Sequence, residues 1–224
     1  MQCISLLFIV LLSCACARFA FSNSWKGLKT VQPSDLVNDA SSSITIPAFS
    51  KAQHVISTLS NTNITNTVRQ VTLLAHSFTT EEFYKICNRI SKCKQLEGIV
   101  LDGCKLTQED ARSLTQSLRK LSSLRYLSLS HCGIGDEHMT SFCLLAKSPG
   151  NITCWDLSDN HLTSESFESL YRILLGSANN TLEKLDLSYN KLGGVLLNLL
   201  EETGRKNKLK NIKSFSVKQV SIFI

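Results

Sequence analysis

One apolar motif returns every 28 residues and leaves this chain few ways to fold. Val68, Val71, Leu73, His76 and Phe78 recur as Leu96, Ile99, Leu101, Cys104 and Leu106, then as Leu124, Leu127, Leu129, Cys132 and Ile134. Ile152, Trp155, Leu157, Asn160 and Leu162 continue the series, and Leu182, Leu185, Leu187, Asn190 and Leu192 follow after 30 residues. Within each motif the apolar residues alternate over the middle positions, as a strand with one buried face requires. Five such strands at near-constant spacing predict a stack of near-identical units that share one continuous core.

A second set of columns runs in the same register. Phe83, Ile86, Cys87 and Ile90 become Ala111, Leu114, Thr115 and Leu118, then Met139, Phe142, Cys143 and Ala146, then Phe167, Leu170, Tyr171 and Leu174. Offsets of three, four and seven put each quartet on one helix face. Thr79 with Glu82 and Thr107 with Asp110 have the spacing of a capping box at the helix start. In the fifth unit the same column reads Leu197, Leu200, Glu201 and Gly204, and the helical pattern fails there. The expected fold is an α/β solenoid, a horseshoe with parallel strands on its concave face and helices on its convex face.

Strand-plus-helix units of this length, with Cys or Asn at the ninth place, resemble ribonuclease-inhibitor-type leucine-rich repeats. The resemblance covers about residues 68–204. It implies protein binding without specifying the partner, because this repeat type serves inhibitors, receptors and scaffolds alike. The run from Phe78 and Thr79 to Lys92 and Cys93, with LTQEDARSLTQSL at 106–118 and LSLSHCGIGDE at 127–137, resembles the leucine-rich repeat subunit of the dynein regulatory complex, the T-complex testis-expressed protein family. That likeness implies a scaffold component of the axonemal cytoskeleton.

The flanks divide further. Residues 1–17, MQCISLLFIVLLSCACA, combine a short apolar run with small residues at Ala15 and Ala17, the pattern of a secretory signal cleaved after Ala17. Residues 18–43 read as a linker rich in Ser and Asn, and 44–67 as a capping half-repeat with Ile44 to Ile46 as strand and Ala52, Val55, Ile56 and Leu59 as helix. A basic cap or tail, 205–224, holds Arg205, Lys206, Lys208, Lys210, Lys213 and Lys218, which account for the whole net charge of +6. A sixth motif is expected to start at Leu209 and Ile212, with Ser214 where the next Leu belongs. No segment is apolar for long enough to span a membrane. The location therefore has two readings: secretory or extracellular if 1–17 is a cleaved leader, cytoplasmic or axonemal otherwise.

Beyond the leader stand Cys87, Cys93, Cys104, Cys132, Cys143 and Cys154. Four of them fall in core columns, so they are expected as buried free thiols rather than a disulfide framework. Three glycosylation sequons, at Asn63, Asn151 and Asn179, match no more often than chance allows.

Catalytic motifs are missing, and no cofactor is expected. Gly98 to Gly103 followed by Cys104 and Lys105 lacks the Gly-Lys-Ser/Thr of a phosphate loop. His131, Cys132, Asp136 and His138 lie close in sequence, but strand geometry sends Cys132 inward and His131 outward, so no metal site is expected. From Arg205 to Lys213 the basic run has no interleaved aromatic, which argues against nucleic acid. What remains is the open strand face: a non-enzymatic surface that docks a protein partner, with no small-molecule substrate. Its outward columns contain Tyr126 and Lys184 at the third place, Asp156 and Asp186 at the fifth, and His131, Asp159 and Tyr189 at the eighth. These seven are the candidate partner-binding residues.

Overall fold

In the computed structural model the described residues are 43–147, 152–175, 181–194, 198–199, 201–202 and 212–218. The leader at 1–17, nearly all of the linker, the sequons at Asn151 and Asn179, and Arg205 to Lys210 lie outside them. In chain order come β1 (Ser43–Ile46), α1 (Ala52–Thr58), α2 (Thr62–Thr67), β2 (Gln70–Leu74), α3 (Thr80–Ile90), β3 (Gly98–Asp102), α4 (Gln108–Leu118) and β4 (Tyr126–Ser128). Then follow α5 (Asp136–Phe142), β5 (Cys154–Asp156), α6 (Phe167–Leu175), β6 (Lys184–Asp186) and β7 (Ser214–Ser216). The strands form one parallel sheet in sequence order. Its register, Gln70 beside Gly98, Tyr126, Cys154 and Lys184, is the spacing of the motif itself. No helix among the described residues is long and apolar enough to cross a membrane.

Alternation along the strands decides what is buried. Val71, Leu73, Ile99, Leu101, Leu127, Leu129, Leu157 and Leu187 have no exposed surface, and Trp155 and Leu185 have almost none. The helices close the other side: Phe83, Ile86 and Ile90 on α3 and Ala111, Leu114 and Leu118 on α4 are equally buried. Both helices begin as the sequence predicts. The Thr79 and Thr107 hydroxyls accept the Glu82 and Asp110 amides, and those carboxylates accept the Thr79 and Thr107 amides in return, at 2.9 Å each. The shorter Asp110 closes its box as well as Glu82 does.

From the second full repeat on, the ninth-place side chain ties each repeat to the one before it. Asn160 Nδ2 donates to the Leu129 carbonyl at 2.8 Å, and Asn190 Nδ2 donates to that of Leu157 at 2.9 Å. The Cys104 thiol does the same to Leu73 at 3.4 Å, and the Cys132 thiol to Leu101. In the first full repeat His76 holds this place, buried, with neither ring nitrogen in a hydrogen bond of good geometry. It stacks on Phe78 instead, centroids 5.0 Å apart, and burial lowers its pKa. Cys87, Cys93, Cys104, Cys132, Cys143 and Cys154 are all buried and unpaired.

Burial pushes the Cys104 pKa up to about 11 and that of Cys132 higher still. A thiol alkylates as its exposed thiolate. Iodoacetamide at mildly alkaline pH should therefore spare Cys104 and Cys132 in the folded protein and modify both in denaturant, as peptide mass mapping would show. Rapid modification under native conditions, or a disulfide linking the two, would contradict this packing.

The later helices depart from the expected columns. After α5 the chain tightens into a 3-10 turn over Cys143–Lys147, and at three residues per turn Leu145, not Ala146, lands beneath Phe142. A second 3-10 turn at Ser164–Ser166 precedes α6 and offsets its face. Ser166, Leu170, Ile173 and Leu174 are buried, whereas Phe167 and Tyr171 stay half-exposed and stack on each other at 5.7 Å. In the fifth unit Leu199 is buried, while Leu197, Leu200 and Gly204 lie outside the described residues.

At the far end the sixth motif is displaced from the sequence reading. Leu185 pairs with Phe215, so the motif starts at Ile212 and continues as Phe215 and Val217, 30 residues after Leu182. Ser214 is then a third-place residue pointing away from the core, and no Leu is missing. At the other end β1 pairs with β2, and α2, rich in Thr and Asn, forms a helix without apolar periodicity.

Candidate partner-binding face

Outward side chains fall at the third, fifth and seventh places, because the strand alternates. In the early repeats this face is closed apart from Asp102 at the end of β3: Gln70, Thr72, Val100 and Ser128 are buried against their neighbours, and Gly98 presents no side chain. It opens in part from β4 onward, although Cys154 and Ser188 stay buried. Tyr126, Asp156, Lys184 and Asp186 are half-buried, whereas His131, Asp159 and Tyr189 are exposed.

The eighth place has its own geometry. Ala75, His131, Asp159 and Tyr189 all have left-handed backbone, φ between 48° and 60°, and Gly103 completes the column at 69°. This sharp exit lets each amide reach the seventh-place carbonyl of the next repeat: His131 to Ser158 at 3.3 Å, Asp159 to Ser188 at 2.9 Å, and Gly103 to Ser130 at 3.0 Å. A left-handed residue other than Gly costs on the order of 1 kcal/mol. Gly103 proves that glycine serves the turn. Three successive later turns nevertheless place His, Asp and Tyr on one exposed ridge, roughly 10 Å long at the usual strand spacing.

Two of the three ridge side chains are in direct contact. His131 Nε2 lies 2.7 Å from Asp159 Oδ2, and its Nδ1 lies 3.4 Å from Asp102 Oδ1 and 3.0 Å from Ser130 Oγ. Exposed pairs of this kind contribute little stability, so their effect is to orient the imidazole. Asp102 was absent from the sequence-derived set although strict alternation turns the seventh place outward. Tyr189, 46% exposed, supplies the ridge with an aromatic surface.

On the strands below, Asp156 Oδ1 accepts the Ser158 amide at 2.9 Å and its hydroxyl at 2.6 Å, and Asp186 Oδ1 accepts the Ser188 amide at 2.8 Å. Both aspartates thus shape the strand exit as well as charging the face. Burial and the neighbouring Asp156 raise the Asp186 pKa, while burial beside Asp156 pushes Tyr126 up to about 12.

The other clustered residues take structural roles. Cys132 is buried and His131 is exposed on the ridge. His138 is buried, its Nδ1 accepting the Gly135 amide at 2.9 Å while Nε2 lies 3.0 Å from the Leu106 carbonyl. Asp136 reaches into the next repeat, where it accepts the Thr163 amide at 2.9 Å and the Thr163 and Ser166 hydroxyls. No cluster suited to a metal ion occurs among the described residues. Gly98 to Asp102 form β3, whose amides lie in the ladder.

A Leucine Rich repeat family model matches residues 120–143, 151–170 and 178–195. Among curated proteins the chain is similar to Ribonuclease inhibitor of Mus musculus, 36% identical over 110 residues, which are 48% of this chain and 24% of that protein. Ribonuclease inhibitor of Sus scrofa is 34% identical over 111 residues, 49% of this chain and 24% of that protein. The match thus spans about a quarter of the length of these relatives. Among solved structures, a tropomodulin C-terminal domain of Caenorhabditis elegans is similar in fold, with a TM-score of 0.50 and 18% identity, over 64% of this chain and 85% of that one.

Proposed function

We propose that this chain, a solenoid of leucine-rich repeats similar to those of ribonuclease inhibitor, captures a protein partner on the open strand face of its later repeats, led by the ridge of His131, Asp159 and Tyr189. The observation that carries this reading is the left-handed column, where the exposed side chains of His131, Asp159 and Tyr189 stand at turns that glycine would serve with less strain. The curated relatives are named for inhibiting another protein, which supports the same mode of action. Asp102, Asp156, Asp159 and Asp186 outnumber Lys184 and His131 on this face, so the matching partner surface is basic.

Asn tolerates left-handed backbone, so His131→Asn, Asp159→Asn and Tyr189→Asn together remove the ridge while sparing the turns. The triple variant should keep its stability within about 1 kcal/mol and lose partner recovery by proximity labelling roughly tenfold or more. Full recovery with an intact fold would refute the ridge.

The setting that fits the buried free thiols is an intracellular scaffold of the axonemal or cytoskeletal kind. A secreted recognition protein is the second reading, favoured by the pattern of residues 1–17. Sequencing the mature amino terminus from eukaryotic cells separates them: a start at Arg18 selects the secreted reading, and an uncleaved chain the intracellular one.

A further inference from the structure

On the helix side of the sheet, a cavity of about 540 Å³ lies between α1 and the carboxyl end of α3. Lys85, Arg89, Lys92 and Lys120 line it, and no carboxylate among the described residues does. Lys85 pairs with Glu81 at 2.6 Å outside the wall, whereas Arg89, Lys92 and Lys120 meet no carboxylate among the described residues. The rest of the wall is Asn88, whose side-chain amide can donate, Ser91, whose hydroxyl donates to the Asn88 carbonyl at 2.9 Å, and Ile56, which closes the α1 side.

A helix carboxyl terminus ordinarily repels anions. Here Lys94 Nζ lies 3.0 Å from the Ser91 carbonyl and 3.4 Å from that of Lys120, so a fifth cation already covers the carbonyl ends of two adjacent repeats. Arg89, Lys92 and Lys120 thus line the cavity without a carboxylate partner among the described residues. A single carboxylate would satisfy one of them and leave the others repelling. A multiply charged anion satisfies the set, and a guanidinium beside ammonium groups suits phosphate oxygens. The volume is that of a small-ligand site.

We propose that this cavity binds a compact, multiply phosphorylated ligand, either free or presented as a lipid headgroup. The site is independent of the strand face and draws Lys85, Asn88, Arg89 and Lys92 from one repeat and Lys120 from the next.

The test uses the full chain in 150 mM NaCl, near physiological ionic strength, with tripolyphosphate as the free probe. Phosphatidylcholine vesicles with and without phosphatidylinositol bisphosphate are the membrane probe. Saturable calorimetric binding of tripolyphosphate is expected, weakened tenfold or more by Arg89→Gln with Lys92→Gln. Lys120→Glu, from the neighbouring repeat, should cause the same loss. Both variants should melt like the parent without ligand, and charge reversal of Lys206, Lys208 and Lys210 should leave binding intact. Vesicle flotation that depends on the phosphorylated lipid and on Arg89 identifies the headgroup as the source; binding of tripolyphosphate alone identifies a soluble ligand. No saturable binding of either probe up to about 1 mM overturns the proposal. So does binding that survives both cavity variants, or that disappears only with the tail reversal.

Discussion

Replacing Asn160 by Ala should destabilise the protein by on the order of 3–5 kcal/mol and lower its melting temperature by roughly 10 °C. This side chain joins two repeats through its amide and its carbonyl at once. Its Nδ2 donates to the carbonyls of Leu129, Leu157 and Ser158 at 2.8–3.0 Å, and its Oδ1 accepts the Cys132 and Ile134 amides at 3.1 and 2.9 Å. Asn160 is only 4% exposed, so water does not replace these partners. Buried backbone groups left without partners are what make the loss large, because each costs about 1–3 kcal/mol. Asn160→Cys should cost roughly half as much, since Cys104 and Cys132 demonstrate that a thiol there still reaches the strand carbonyl of the preceding repeat. Chemical denaturation measures both. A loss under 1 kcal/mol for Asn160→Ala would mean that the ninth-place ladder does not bind the repeats together.

The second large effect is expected at Leu129, whose side chain is fully buried between its neighbours in the inward ladder. Leu129→Asp puts a carboxylate where no cation can approach it, and its desolvation costs several kcal/mol. Each repeat is stabilised mainly by the two beside it. A break at the centre of the stack should abolish the single cooperative melt, leaving a low-temperature transition or none. An unchanged melting curve by circular dichroism would show that Leu129 does not face the core.

The sheet and its register were legible because they follow from one repeated distance and one alternation. A strand has a period of two whatever it packs against, so Val71, Leu73 and their counterparts had to be inward. The capping boxes on α3 and α4 were equally readable, being local to four residues. The third and fourth helix columns were harder, because two 3-10 turns change the number of residues per turn and a fixed heptad-like spacing cannot register that. Leu145 replaces Ala146 and Phe167 leaves the core for this reason. The final motif was misplaced by three residues because Leu209 imitates its start, and only pairing with β6 identifies Ile212 as the first-place residue. On the candidate face, the residue types were visible but their accessibility was not. Burial of Gln70 and Val100 depends on how closely neighbouring strands crowd, and the left-handed turns at His131, Asp159 and Tyr189 have no signature of their own when glycine occupies only one turn of the column. Asp102 was overlooked although the same alternation turns it outward.

The central claim places capture of a protein partner on the strand side, at the ridge. A photo-crosslinking amino acid at Tyr189 tests it against the same group at Tyr84, which is as exposed but sits on the outer face of α3. Crosslinking in cells should join a partner to the chain from Tyr189 and not from Tyr84. Crosslinks from Tyr84 with none from Tyr189 would place the partner on the helices and contradict the account.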